Sequence, residues 1–259
     1  LAGLVPLVSR APGIVNLEGP IAATQPPRAA DGALRIVNAP AVVRELRAAG
    51  VAVAGIANNH AGDAGPEGGA ATIRALRAGG LQPAGGEAGF ALIATGGLRI
   101  AVTAHDLSAG VPPTLDADLR RARQAADTLI ATFHVTSAAS YLPVRWLRQA
   151  AASALKAGAV VVAAHGTHLL GPVERSDRAV IAWGLGNLAF ACPCTDESEA
   201  LLLDVEIGRD GAGAAAAIPI QAGLGGAPAL PSRDASGVAD LLRALGSRIV
   251  RAAPDRVYF

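Results

Sequence analysis

The order of apolar runs along the chain constrains its fold most. Over the first two thirds, short strand-like runs alternate with helical patterns. Gly13–Leu17 reads as a strand, and the stretch 41–50 as a helix stopped by Gly50. Val51–Ile56 is a buried strand, and Gly68–Ala78 a helix closed by Gly79-Gly80. Runs 91–94 and 98–104 flank Thr95-Gly96-Gly97, a hairpin signal. Helix 115–126, strand 128–133, helix 143–157 and strand 159–164 follow. The rhythm then changes to strands at 179–183, 189–191, 200–207 and 215–221, with a closing helix at 238–245. Segments 208–213 and 223–231 read as surface loops. A β-α alternation followed by a β meander predicts an α/β protein of mixed sheets with helices outside. We find no internal repeat and no linker, and expect a single domain over 1–259.

The histidines collect where such a fold binds ligands. His105, His134, His165 and His168 follow strand-like runs, and His60 sits in the polar turn Asn58-Asn59-His60-Ala-Gly-Asp63. In an open α/β sheet, ligands bind outside the carboxyl ends of the strands. Glu18 follows its strand in the same way. Carboxylate, amide oxygen and imidazole suit zinc, manganese or iron, and a carboxylate can bridge two ions. No thiolate lies near these motifs, which disfavours a structural zinc knot.

Each residue also has an ordinary reading. Glu18 fits a loop carboxylate, and Asn58-Asn59 fit turn positions. His105 reads as a partly buried histidine with a satisfied hydrogen bond. His165 and His168 are an H-x-x-H in a loop. Arg145, Arg148 and Arg175 read as solvated surface charges, and Cys192-Pro-Cys194 as loop thiols. The conjunction, rather than any single residue, points to one site.

Composition narrows the function. A net charge of +1 with few basic clusters argues against a nucleic-acid surface. Four Phe, two Tyr and two Trp offer no stacking platform for bases. With 51% apolar residues, a sizeable core is available. No apolar run reaches the roughly 18 residues a bilayer requires, and no signal segment is evident. The chain contains no methionine, so we expect its native start to lie upstream. The sequence assigns no location.

Taken in order, Asn16-Leu17-Glu18, Asn58-Asn59-His60-x-x-Asp63-x-Gly65, His134, His168-Leu-Leu-Gly-Pro-Val-Glu174 and Trp183-Gly-Leu-Gly-Asn187-Leu-Ala-Phe190 resemble a known family. It is the CapA (poly-γ-glutamate capsule-biosynthesis) family of the calcineurin-like metallophosphoesterase superfamily. The resemblance spans roughly residues 13 to 207 and implies a four-layer α/β/β/α sandwich of two mixed sheets. It also implies that Glu18 bridges, that Asn59, His134 and His168 are metal ligands, that His60 is the acid near the leaving oxygen, and that Asp63 orients it. The implied cofactor is one or two divalent ions.

The chain departs from the family pattern in three places. The family's opening Gly-Asp motif is absent ahead of Glu18. The family's His-Pro-His is Gly166-Thr167-His168 here, and His165 is the expected substitute ligand. The family's His-Trp-Gly-x-Glu is His134-Val-Thr-Ser-Ala-Ala, so that glutamate has no counterpart. These departures lead us to expect a single-metal or depleted site.

Three functions follow as expectations. The first is a metal-dependent hydrolase of a phosphoester or an amide-linked, poly-γ-glutamate-type substrate. The second is a non-catalytic accessory protein of polyglutamate synthesis or export beside membrane-associated partners. The third is a peptide epimerase of the lasso-peptide type, using His60 and His168 as acid and base. The substrate would be a small molecule, a peptide or polyglutamate.

Overall fold

The computed structural model describes residues 1–8, 11–24, 34–136, 140–190, 198–232 and 234–259. After a short turn of helix, α1 (Val5–Val8), strands β1 (Gly13–Asn16), β2 (Val51–Gly55) and β3 (Gln82–Ala84) form a parallel sheet. Helices α2 (Val42–Ala48) and α3 (Gly68–Ala78) cover one face of it. There Val43, Leu46 and Leu76 are buried with Val51, Ala54 and Leu81.

The larger sheet has the order β4-β5-β6-β7-β9-β8. Its strands are β4 (Ala91–Thr95), β5 (Leu98–Asp106), β6 (Thr128–His134), β7 (Ala159–His165), β8 (Val173–Arg175) and β9 (Val180–Ala182). The middle strands are parallel, and β4 and β8 are antiparallel edges. Every residue of β6 is buried, as a central parallel strand covered on both faces requires. Leu129, Ala131 and Phe133 face α4 (Leu115–Gln124) and α5 (Arg145–Lys156), while Ile130 faces Val53 and Ala84 of the parallel sheet.

Helix α4 shows why this packing occurs. Leu115, Leu119 and Ala122 fall at i, i+4 and i+7 and are all buried. Asp116 and Asp118 in its first turn, and Arg121 and Arg123 in its last, complement the helix dipole. The β4–β5 hairpin turns through Gly96 and Gly97 at φ 57° and 74°. Two positive φ values in a two-residue turn match the twist of the flanking strands and favour glycine.

The carboxyl-terminal part is mostly antiparallel. The two-residue strand β10 (Ala189–Phe190) precedes a long hairpin of β11 (Glu199–Gly208) and β12 (Gly211–Gln221). Strand β13 (Gly223–Leu224) pairs in parallel with β10, while β14 (Leu230–Pro231), β15 (Arg251–Ala252) and β16 (Val257–Tyr258) extend the hairpin's sheet. Helix α6 (Ala235–Ala244) starts at Asp234, whose Oδ1 accepts from Gly237 N at 2.8 Å.

Two loop expectations are corrected here. The stretch 208–213 is a tight hairpin, with Gly208 paired to Gly211. The stretch 223–231 contains β13 and β14. Both segments are rich in glycine or proline, which read as loop but serve here as hairpin corner and edge strand. Cys192 and Cys194 lie outside the described residues.

Candidate active site

The site is assembled at the carboxyl ends of parallel strands. Strands β5, β6 and β7 end in one register row, with Asp106 opposite His134 and His134 opposite His165. Parallel pairing places these three side chains on one face. Beyond β1 and β2 stand Glu18 and the loop of Asn58 to Asp63.

His134 is the hub. Its Nε2 lies 2.8 Å from Asn59 Oδ1 and 3.5 Å from Glu18 Oε1. Its Nδ1 lies 3.0 Å from Nδ1 of His165. The residue is only 1% exposed, and burial lowers its pKa to about 4, so the imidazole is neutral at physiological pH. Burial, and then the neighbouring His134, hold His165 well below the usual histidine range. Glu18 is raised, chiefly by burial. Its Oε2 accepts from Asn16 Nδ2 at 2.5 Å, which acts in the opposite direction, as do His60 and His168.

Asn58 and Asn59 divide the work. Asn59 faces His134, whereas Asn58 is buried and ties two loops together. Its Nδ2 donates to Leu17 O at 2.9 Å and to Asn16 Oδ1 at 3.3 Å, and its Oδ1 accepts from Gly19 N at 3.2 Å. Asp63 also serves two partners through Oδ2: His60 Nδ1 at 2.7 Å and Ile36 N at 2.6 Å. The His60 ring is thereby fixed, leaving Nε2 as its available nitrogen.

His168 has φ 63°, alone among described non-glycine residues in being left-handed. Its Nδ1 meets Asn187 Oδ1 at 2.8 Å, and its ring packs 5.2 Å from that of Phe190. An L-residue held in this region signals a position fixed by its surroundings. His168 lies close enough to Glu18 and His134 to influence the charge of both.

Of the residues singled out in the sequence, Glu18 and Asn59 both approach Nε2 of His134. His60, Asp63 and His168 stand around it, and His165 contacts His134 on the side away from Glu18 and Asn59. Among the described residues, no three His, Cys, Asp or Glu side chains converge as a metal cluster. Glu18, Asn59 and His134 provide a carboxylate, an amide oxygen and a neutral imidazole, donor types that suit a divalent cation.

Asp106 was not visible as a site residue from sequence. It acts on the charge of both Glu18 and His134, and its Oδ1 is held by Ser108 N at 2.9 Å and Ser108 Oγ at 2.6 Å. Only the β5–β6 register brings it there. Its signal in the sequence is a carboxylate directly following His105 at a strand end. His105 itself points to the helix side: its ring is 6.1 Å from that of Phe133, and Asp118 of α4 is its charged neighbour. Its Nε2 is buried without a hydrogen-bond partner, so the expected satisfied histidine is corrected for that nitrogen. Arg148 is half exposed, 3.9 Å from Glu174 and over the ring of Trp183 at 5.3 Å.

The model of the bacterial capsule synthesis protein PGA_cap matches residues 2–191, which include all of these residues. The chain belongs to that family. The fold is a mixed α/β arrangement with several sheets, and solved structures share it. A hypothetical protein from Thermus thermophilus superimposes with TM-score 0.51 at 16% identity over 88% of each chain. A novel phosphatase from Mycoplasma pneumoniae does so with TM-score 0.52 at 13% identity, over 85% of this chain and 86% of that one. At such identities the likeness concerns the fold alone. No curated protein matches the chain. Among the described residues, no helix is long and apolar enough to cross a membrane.

Proposed function

We propose that this PGA_cap-family protein is a hydrolase, assisted by a single divalent cation, acting on a phosphoester or an amide-linked, polyglutamate-type substrate in capsule synthesis. The observation that carries the reading is the convergence of Glu18, Asn59 Oδ1 and a neutral His134 Nε2. Family membership supports the capsule context. The fold shared with a phosphatase supports hydrolysis by fold-level analogy only.

The residues fit one cation. Donor atoms 2.8 and 3.5 Å apart have about the mutual spacing of ligands roughly 2.1 Å from a common ion. Glu18, Asn59 and His134 would hold it, and when bound it would polarise the oxygen of the scissile group. His60 is placed to give a proton from Nε2 to the departing oxygen or nitrogen, with Asp63 stabilising the imidazolium through Nδ1. Because Ile36 N also holds Asp63, that carboxylate keeps its orientation through the proton transfer. His168, anchored by Asn187, offers a second imidazole facing the same space.

The test combines elemental analysis with hydrolysis of a chromogenic phosphoester and of γ-glutamyl peptides, before and after chelation. About one equivalent of manganese, zinc or iron, lost in Glu18→Ala and His134→Ala, is expected. His60→Ala should keep the metal and lose turnover by 10²–10⁴-fold, the usual contribution of a general acid. A metal-loaded wild-type protein that hydrolyses neither substrate class would overturn the reading.

A further inference from the structure

We propose that His165 is a positioning residue that sets the tautomer of His134 through their Nδ1-to-Nδ1 contact. The inference rests on the reading that Glu18, Asn59 and His134 hold a cation.

A contact of 3.0 Å between two Nδ1 atoms is a hydrogen bond only if one ring carries the proton and the other accepts it. A neutral imidazole has one N–H, on one or the other of its two nitrogens. Two arrangements remain. In the first, His165 donates from Nδ1, and His134 carries its proton on Nε2, where Asn59 Oδ1 and Glu18 Oε1 wait as acceptors. In the second, His134 donates from Nδ1 and presents a bare Nε2 lone pair to those same oxygens.

Without a cation, the second arrangement points three lone pairs at one another, so the first prevails. With a cation between them, Nε2 must be bare, and the second prevails. The exchange balances. One proton leaves His134 Nε2 for water, the shared proton moves from His165 Nδ1 to His134 Nδ1, and His165 takes one from water at Nε2. Both rings end neutral.

A histidine at position 165 permits this exchange because its Nδ1 can either donate or accept. A backbone carbonyl, a common partner of ligand histidines, only accepts and would fix one tautomer. The surrounding chain holds the pair in place. Val135 N donates to His165 O at 2.9 Å, and the two histidines are register partners. Gly166 has φ 101°, and a Cβ there would stand 2.9 Å from the His134 ring and 2.6 Å from Val135 O. No side chain can therefore enter from residue 166, and His165 meets the Nδ1 edge of the ring.

The experiment is long-range ¹H–¹⁵N NMR of the histidine rings in the full ¹⁵N-labelled chain, free and titrated with Zn²⁺, which is diamagnetic. In the free protein His165 should be protonated on Nδ1 and His134 on Nε2, and zinc should reverse both. His165→Phe should weaken zinc binding roughly 10–100-fold, the usual effect of losing a partner of a ligand histidine. His165→Gln, whose amide can donate or accept, should recover part of it. Nδ1 protonation of His134 in the free protein would overturn the proposal, as would zinc binding with His165 unchanged or His165→Phe binding zinc like wild type. Failure of zinc to bind would instead remove the cation reading, and the free-protein tautomers would then decide the role of His165 alone.

Discussion

Asn58 Nδ2 reaches Leu17 O at 2.9 Å, and through this bond the loop bearing His60 is tied to the strand end bearing Glu18. Substituting Asn58 by Ala removes this donor and leaves Leu17 O and Gly19 N without their partner. The expected loss is about 2 kcal/mol, the scale of leaving buried polar groups unsatisfied. Urea denaturation should show it as a lower midpoint with unchanged slope. A midpoint equal to wild type would mean that the tie is unimportant.

The left-handed backbone of His168 can be separated from its side chain. His168→Ala and His168→Gly both remove the imidazole, but only glycine adopts φ 63° at no steric cost. The glycine variant should be the more stable by about 1 kcal/mol. Thermal unfolding of the two variants side by side gives the comparison, and equal stabilities would argue against the left-handed conformation.

Gly166→Ala should be damaging on two counts. The added Cβ would overlap Val135 O and press on the His134 ring. Holding alanine at φ 101° adds strain on the order of 1–3 kcal/mol. Both stability and metal content should fall, measured by calorimetry and elemental analysis. A variant with wild-type metal content would show that the His134 ring has room to move.

His105 lies away from the site and makes a clean pH probe. Burial lowers its folded pKa below 6.5, so the unfolded chain binds more protons as the pH falls through that value. Its neutral form is accommodated above pH 6.5, and stability is lost as the pH drops from there towards the folded pKa. His105→Leu, which also removes the unpartnered Nε2, should lose less stability than wild type between pH 7.5 and about 5. Parallel urea curves across that range would exclude this contribution.

Much of this was legible in the sequence. Continuous apolar runs located β5, β6 and β7, and helical patterns α4 and α5, to within a few residues, because these elements are long and deeply buried. Strand-end positions marked Glu18, His134 and His165, since the ends of parallel strands share one side of a sheet. Register was not legible. It places Asp106 beside His134 and sets His165 against the Nδ1 edge of that ring. Nor could spacing tell Asn58 from Asn59, adjacent residues of one type whose side chains diverge in a turn. The short strands β3, β8, β15 and β16 were missed because two or three residues carry no period.

The complete burial of β6 has a kinetic consequence. Its amides are hydrogen-bonded on both sides within a sheet that is itself covered on both faces. Their exchange with solvent deuterium therefore requires opening of the whole molecule, on the slowest timescale the protein has. The turns that carry His60 and His168 rest on fewer backbone bonds than β6. The imidazole at the hub thus stands on an anvil, while the groups that would approach a substrate are held chiefly by side-chain bonds.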